Sequence, residues 1–429
     1  MTSEILKNTI QHVWQLRKDK KQRRYFACLA CEMLPGFGRL FIHMEALARH
    51  KRAVWYTPVG MREYCTKAQK ELVVIEEPTQ RVVYKPAYYG KSKECLYRFP
   101  SPSIYVAKIT DGTVIGALGM VVACGHILCD AYAQDEDHRT LFKFGPIKKV
   151  KKDGFMVLVD KEVQEMEEAV NLCGIASNNY YHFTMEILSR LDYVNHNEAY
   201  RSLPILIDAS VQQYEQMKDL LAAVNETHPV VYVKEGALVK VHHLIHPSMN
   251  TWMPVNVSNR ELFRISDNLI AASGVENIRK AAQRYMVPQT DKKIFLSRRR
   301  TESKRIRNED ALAAKFAEAG FEIVFTEDLS YAEQVALFSS AGCVVGASGA
   351  ALTNIIYCHP GTVVGCFIPE DYGFCIYSTI AYLNGCKALY LDADIIVRMA
   401  YTAGDTCEVR EENVPGYIAA LLDGMEKKE

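Results

Sequence analysis

The stretch 294–361 limits the possible folds most, because short apolar runs alternate there with amphipathic runs. Apolar residues recur at helical spacing over 308–319, and a glycine then stands where a helix would end. The expected order is a strand over 294–296, a helix over 308–319, a strand over 321–325, a helix capped by Ser330 and Glu333, a strand over 343–345, a helix over 350–357 and a strand over 363–367. This alternation predicts right-handed βαβ units on a parallel sheet.

Two strand ends in this stretch carry groups that suit an anion. The first apolar strand is followed by the basic residues Arg298, Arg299, Arg300, Lys304, Arg305 and Arg307. A later strand ends in the small-residue turn 346–349, directly before a helix. Guanidinium groups and a helix amino terminus both favour phosphate oxygens, and parallel sheets bind ligands at this edge. The sequence predicts an anion site, although a solvated basic face remains open for Arg299, Arg300 and Arg307.

A second candidate site is the segment 178–191, NNYYHFTMEILSRL. Asn179 is a suitable N-cap for a helix over 180–191. His182, Glu186 and Arg190 then share one helix face, at spacings of four residues. The carboxylate is placed to orient the imidazole as a general base. A surface ion pair without catalytic function, or a histidine that caps its own helix, is also compatible with this spacing.

Composition narrows the functional classes. The chain of 429 residues suggests two to three domains, and 51 basic residues balance 51 acidic ones. A neutral chain has no global field for nucleic acid, which argues against RNA binding by the basic run. No stretch approaches the length of a membrane span, although a basic amphipathic amino terminus suits contact with an anionic membrane surface.

Cysteine and histidine usage points to no metal site. Thirteen cysteines without a paired framework favour a reducing compartment. The lone pair Cys28 and Cys31 and the histidines of the strand 241–246 are interpreted as structural. Asp392 and Asp394 have the spacing of a metal-diphosphate motif but lie late in the chain. Asp111-Gly112 between apolar runs predicts a hairpin, and 259–285 predicts one long connecting helix.

The ordered motifs resemble glycosyltransferase family 61. They are Ser297-Arg298, Arg305 with Asn308, 320–324, 327–334 and 346–354, together with the block 178–191. The resemblance covers most of the chain after residue 100. It implies a GT-B type α/β fold with two Rossmann-like domains that face a cleft. The expected divisions are an N-terminal helical and mixed extension (1–100), an acceptor-side domain (101–254), a nucleotide-sugar domain (255–410) and a C-terminal helix (411–429).

The resemblance implies inverting, metal-independent transfer of a hexose or pentose from a nucleoside-diphosphate sugar to a glycan or glycolipid acceptor, in surface polysaccharide synthesis. His182 is the expected base and Glu186 its orienting group. The expected donor-binding residues are Arg298, Arg305, Asn308, Glu327, Glu333, Ser348, Gly349, Ala350 and Asn354. Many relatives have a histidine where this chain has Ser348, so the turn has no cation of its own.

No cofactor is expected, because arginines would neutralise the leaving group in place of a metal. With no signal peptide, the chain is expected in the cytoplasm, with contact at the inner face of the plasma membrane. Two other classes remain open. They are a non-catalytic nucleotide- or glycan-binding module and another enzyme that uses nucleotide sugars.

Overall fold

The computed structural model describes residues 50–130, 144–151, 153–195, 197–253, 264–298, 305–370, 372–397 and 405–427. Several features of the sequence lie outside these residues. They are the amino-terminal amphipathic segment, the pair Cys28 and Cys31, and the basic residues Arg299, Arg300 and Lys304.

Strands dominate the first part of the described chain. In chain order they are β1 (Lys51–Val59), β2 (Leu72–Glu76), β3 (Thr79–Lys85), β4 (Ala87–Tyr88), β5 (Cys95–Ser101), β6 (Ile104–Ile115), β7 (Val121–Ala123), β8 (His126–Leu128), β9 (Ile147–Lys151), β10 (Gly154–Asp160), β11 (Val163–Asn171), β12 (Ile205–Asp208), β13 (Val230–Val233), β14 (Leu238–Pro247), β15 (Thr251–Trp252) and β16 (Leu269–Ile270). Between them lie the helices α1 (Met61–Lys67) and α2 (Glu215–Val224), and α3 (Ala272–Ala282) follows β16.

Eleven of these strands form one mixed sheet, in the order β13-β12-β11-β14-β6-β7-β8-β1-β10-β9 with β2 beside β6. The end formed by β13, β12, β11 and β14 is parallel. The hairpin predicted at Asp111-Gly112 is wrong, because β6 continues through it. Asp111 takes a φ of 53°, which aspartate tolerates, and pairing with β14 continues on both sides at Thr110 and Gly112. Long-range strand pairing therefore overrides the local turn signal.

The second part of the chain alternates strands with helices. It contains β17 (Lys292–Leu296), α4 (Glu309–Glu318), β18 (Glu322–Val324), α5 (Tyr331–Ser340), β19 (Ala341–Ala347), a 3₁₀ helix (Ala350–Tyr357), β20 (Val363–Ile368), α6 (Ile376–Leu383), β21 (Lys387–Asp392), β22 (Asp394–Val397), β23 (Thr406–Glu408) and α7 (Val414–Glu426). A six-stranded sheet has the order β18-β17-β19-β20-β21-β4, and every neighbouring pair is parallel. The predicted parallel sheet is confirmed.

Local signals set the helix ends in this part. Ser330 Oγ accepts the Glu333 N–H at 3.3 Å, and the Glu333 carboxylate accepts the Ser330 N–H at 2.8 Å, so the predicted capping box forms. Gly320 has a φ of 83° after α4, as expected of a residue that ends a helix.

The long helix predicted over 259–285 is wrong, because α3 begins only at Ala272. The buried amide of Asn268 prevents an earlier start. It donates to the carbonyl of Gly373 at 2.7 Å and accepts the N–H of Cys375 at 2.8 Å. These long-range bonds hold the backbone before α3 in a non-helical path.

One apolar core joins the two sheets. Val170 and Ile207 of the mixed sheet share it with Ile294 and Val344 of the parallel sheet. A second core lies under α4 and α7 on the other face of the parallel sheet. Residues 51–100, expected to form an extension, supply β1 and β2 to the mixed sheet and β4 to the parallel one. The arrangement of two Rossmann-like domains facing a cleft stays a prediction, since the larger sheet is mixed.

None of the helices among the described residues is long and apolar enough to cross a bilayer. The cytoplasmic location and the contact with a membrane surface stay predictions.

Candidate functional site

The segment after β11 places His182 and Glu186. Asn179 Oδ1 accepts the N–H of Tyr181 at 2.9 Å, which confirms it as the N-cap. The expected regular α-helix does not follow, because His182–Ile187 is a π-helix and Leu188–Arg190 a 3₁₀ helix. A π-helical turn is wider than an α-helical one and is frequent at functional sites.

His182 and Glu186 form a direct pair, with Nδ1 of the imidazole 2.7 Å from Oε2 of the carboxylate. Both side chains are only about a fifth exposed, at 20% and 19%. When Nδ1 carries the proton, Nε2 is the basic nitrogen, and it makes no hydrogen bond to a described residue. Burial lowers the pKa of His182, but the charge and the hydrogen bond of Glu186 outweigh burial and raise it above its ordinary value.

The parallel sheet brings Arg298 against the glycine turn. A β-carbon built on Gly349 would lie 2.2 Å from Arg298 Nη1, so only glycine leaves room for the guanidinium. The N–H groups of Gly349 and Ala350 donate to no residue that the structure describes. The guanidinium and the two N–H groups together form a cluster of hydrogen-bond donors at the amino terminus of the 3₁₀ helix.

The N–H of Ser348 is used within the sheet, and contact of Ser348 with a sugar donor stays a prediction. The N–H of Ser348 donates to the carbonyl of Phe367 at 3.1 Å, which extends the pairing between β19 and β20. Because the sheet uses this N–H, only the hydroxyl of Ser348 remains for a ligand.

Arg298 and Arg305 lie close enough to influence each other. Burial lowers the pKa of Arg298, and the charge of Arg305 lowers it further, whereas Glu309 and Glu327 oppose that shift. The backbone of Arg305 is held in place, because its carbonyl accepts the N–H of Cys407 at 2.7 Å. Two guanidinium groups at one sheet edge favour a multiply charged anion between them.

Glu309 is a site residue that the sequence reasoning missed. Its carboxylate is 5% exposed and accepts the Ser297 hydroxyl at 2.9 Å and the Arg298 N–H at 2.5 Å. It therefore holds the backbone that presents Arg298. An acidic residue in the first turn of a predicted helix, next to an arginine-rich strand end, was the available signal.

The other predicted donor-side residues divide into two groups. Glu327 is exposed and its charge acts on the pKa of Arg298, and its contact with a donor stays a prediction. Asn308 bonds through its amide to the backbone of Val409, at 2.7 and 3.1 Å. The Glu333 carboxylate bonds to Ser330 in the capping box, and Asn354 is fully buried.

Asn354 connects the two halves of the chain. Its Oδ1 accepts the Tyr180 hydroxyl at 2.7 Å, and its Nδ2 donates to Gln334 Oε1 at 2.7 Å. Because both polar atoms bond inside the protein, Asn354 positions the neighbouring segments. Direct contact of Asn308, Glu333 or Asn354 with a donor stays a prediction.

Tyr377 packs on the segment that carries His182 and was not predicted from the sequence. Its ring packs edge-on to that of Tyr181 at 6.1 Å, and Tyr181 packs on His182 at 5.2 Å. Burial raises the pKa of Tyr377, whereas the charges of Arg305 and Arg298 lower it. Two aromatic contacts thus connect the imidazole with a tyrosine on which the charges of the arginine pair act.

Both carboxylates of the Asp392–Asp394 motif form ion pairs with basic side chains of the protein. Asp392 pairs with Lys91 at 2.8 Å, and Asp394 pairs with Arg410 at 2.6 Å. The described residues contain no group of three or more His, Cys, Asp or Glu side chains placed to hold a metal ion. His246, interpreted as structural, is buried and lies 3.4 Å from Asp130.

Comparison with known families matches one part of the chain. Residues 180–365 match the family model described as Glycosyltransferase 61. The match begins immediately before His182, ends in β20, and includes Arg298, Arg305 and the glycine turn. This part of the chain is therefore similar to that family, which supports glycosyltransferase activity in general, with a nucleotide-sugar donor and a glycan acceptor in general. No curated protein matches the chain.

Proposed function

We propose that the protein is an inverting glycosyltransferase that moves a hexose or pentose from a nucleoside-diphosphate sugar to a hydroxyl of a glycan acceptor, without a metal ion. Surface polysaccharide synthesis is the proposed process. The family match supports the general activity. The finer assignments rest on the side chains around His182 and Gly349.

In the proposed reaction, His182 Nε2 takes the proton of the acceptor hydroxyl. The acceptor oxygen forms a bond to the anomeric carbon as the bond from that carbon to the diphosphate oxygen breaks. The imidazolium that results is stabilised by Glu186, which lies 2.7 Å from Nδ1. A positioned general base of this type contributes about 10²–10⁴-fold to the rate.

The leaving diphosphate is assigned to Arg298, Arg305 and the N–H groups of Gly349 and Ala350. Negative charge grows on its oxygens as the bond breaks, so donors that are already in place stabilise the transition state. Glu327, exposed beside Arg298, is assigned to the ribose hydroxyls. Glu309 acts through Arg298, whose backbone N–H it accepts.

The observation that carries this proposal is the contact of Arg298 with Gly349. Aromatic contacts also join His182 through Tyr181 to Tyr377, a side chain on which the charges of Arg298 and Arg305 act. The arginine pair would neutralise the diphosphate, and Asp392 and Asp394, the nearest match to a metal-diphosphate motif, already pair with cations of the chain.

A thermal-shift panel of nucleoside diphosphates, each with EDTA or with Mg²⁺ or Mn²⁺, tests the donor side. One nucleoside diphosphate is expected to raise Tm equally with and without metal, because arginines form the phosphate site. Arg298→Lys should weaken this shift, since lysine cannot make a bidentate contact. Stabilisation only with metal, or none even at millimolar nucleotide, would contradict the proposal.

Release of nucleoside diphosphate from donor sugars, with pooled glycan acceptors, tests the catalytic side. His182→Ala should lose transfer but keep the nucleotide thermal shift. His243→Ala is the matched control, since that histidine is exposed and its side chain pairs with Glu167, at 3.5 Å, far from the candidate site in sequence and on the strand β14. Transfer by His182→Ala at the native rate would refute its role as base.

A further inference from the structure

A pocket of about 90 Å³ lies beside the catalytic pair, on the side of the mixed sheet. It opens at the carboxyl ends of β11 and β14, where parallel strands commonly bind ligands. Its polar lining consists of Asp130, Glu186, Arg190, His246 and Thr251, and Met249 is among its apolar lining residues. The pocket therefore shares Glu186 with the pair assigned to catalysis.

Arg190 is the unusual group in this lining, because its side chain is 6% exposed. Its guanidinium makes one hydrogen bond to the described residues, from Nη1 to the carbonyl of Pro247 at 3.2 Å. Nε is buried and has no described partner. A guanidinium with five N–H donors is costly to bury with so few partners. The donors that face the pocket therefore indicate a ligand that accepts hydrogen bonds.

The acceptors in the pocket show which ligand fits. Asp130 is already engaged, because it accepts the Tyr105 hydroxyl, the Met249 N–H at 3.3 Å and a contact from His246 at 3.4 Å. Glu186 uses Oε2 for His182, and its Oε1 accepts no hydrogen bond from the described residues. The pocket thus offers guanidinium donors and a carboxylate acceptor side by side.

Charge disfavours an acidic ligand. Asp130 and Glu186 supply two carboxylates to the lining, against the guanidinium of Arg190, and the two nearby imidazoles, His246 and His182, are already bonded to those carboxylates. A carboxylate in the pocket would add a third negative charge in a space of low dielectric constant, which is unfavourable. A neutral hydroxyl can accept from the guanidinium and donate to the carboxylate, so it satisfies both groups.

We propose that this pocket is the acceptor subsite, and that Arg190 and Glu186 Oε1 bind hydroxyl groups of an uncharged terminal sugar next to the hydroxyl that reacts. The inference rests on the proposed function for the role of His182. It adds the chemical class of the acceptor, a neutral sugar, and a residue, Arg190, that selects it.

Saturation-transfer NMR on the full chain tests the subsite, with methyl glycosides of glucose, galactose, mannose and xylose as neutral probes and methyl glucuronide as the charged probe. At least one neutral glycoside should give a signal, and the glucuronide should bind more weakly than that glycoside. Arg190→Gln should weaken neutral binding at least tenfold. Arg201→Gln, an exposed arginine outside the pocket, should bind like the native protein.

Met249→Trp is a second variant, for the case that Arg190→Gln does not fold. The larger side chain should fill the pocket from a half-buried position and leave the guanidinium intact. It should also abolish the signal. Tighter binding of the glucuronide, no signal from any neutral probe, or unchanged neutral binding in both variants would overturn the inference.

The nucleoside-diphosphate thermal shift separates this inference from the proposed function. Both pocket variants should keep the native shift, because the pocket lacks Arg298 and Gly349. Neutral sugar binding without any nucleotide shift would contradict the proposed function and leave the subsite standing. A native nucleotide shift without neutral sugar binding would contradict the subsite and leave the proposed function standing.

Discussion

Gly349→Ala places one methyl group where the arginine meets the glycine turn. The new β-carbon would lie 2.2 Å from Arg298 Nη1 and 3.2 Å from Cζ. Ordinary contact between such atoms begins at about 3.4 Å, so the end of the guanidinium has to move by roughly 1 Å. Gly349 has a φ of 169°, an extended conformation that alanine adopts without strain. The perturbation is therefore confined to the position of Arg298.

The expected effect on activity exceeds the effect on stability. A reacting group misplaced by about 1 Å costs on the order of 10²-fold in rate. Loss of one preorganised donor costs about 10²–10³-fold in kcat, or about 2.7–4 kcal/mol. The displaced atoms are the far end of a flexible side chain, so destabilisation should stay near the low end of overpacking costs, about 1 kcal/mol.

Isothermal titration with the nucleoside diphosphate that stabilises the native protein, together with transfer rates, measures the effect. The Kd should rise about tenfold or more, and kcat should fall about 10²-fold. Gly424→Ala is the matched control, since its β-carbon would contact only Val363 of β20, at 3.2 Å, and the site lies elsewhere. Native Kd and kcat in Gly349→Ala would refute the assignment of Arg298 to the diphosphate.

Three other outcomes follow from single contacts. Glu186→Gln removes the charge that holds the pKa of His182 above its ordinary value, so the acidic limb of kcat/KM should move to lower pH; an unmoved limb contradicts the pairing. Burial raises the pKa of Asp208 to about 6. Its stabilising contribution is therefore complete below about pH 4 and is lost as the pH rises through 6, amounting to at most about 3 kcal/mol. In urea titrations, Asp208→Asn should lose less unfolding free energy than the native protein between about pH 4 and 6. An equal loss would count against the raised pKa of Asp208. Tyr180→Phe leaves the buried Asn354 Oδ1 without its donor and should cost about 1–3 kcal/mol of unfolding free energy by urea denaturation. A variant of native stability would show that this bond adds little.

The local order of the parallel sheet was predictable from the sequence. Helical spacing, the Ser330–Glu333 box and Gly320 each depend on residues within about one helical turn. The i,i+4 spacing of His182 and Glu186 likewise predicted a pair, and the two side chains meet at 2.7 Å. Such interactions join residues that are close in sequence, so hydrophobic periodicity and capping patterns predict them.

Contacts between distant segments were not predictable in this way. The position of Arg298 against Gly349, the approach of Tyr377 to Tyr181, and the recruitment of β4 into the parallel sheet each join residues that no spacing rule connects. The same holds for the predicted hairpin, because pairing with β14 at Thr110 and Gly112 carries β6 through Asp111.

Within the parallel sheet, sequence alone thus determined which segments become strands and helices, and which residue types stand at their ends. Tertiary structure decided which of those ends face one another, and whether a given N–H, such as that of Ser348, is left for a ligand or used by the sheet. The physical reason is that secondary structure follows local steric and hydrogen-bonding preferences. A binding site requires the packing of a whole core to bring remote side chains within contact distance.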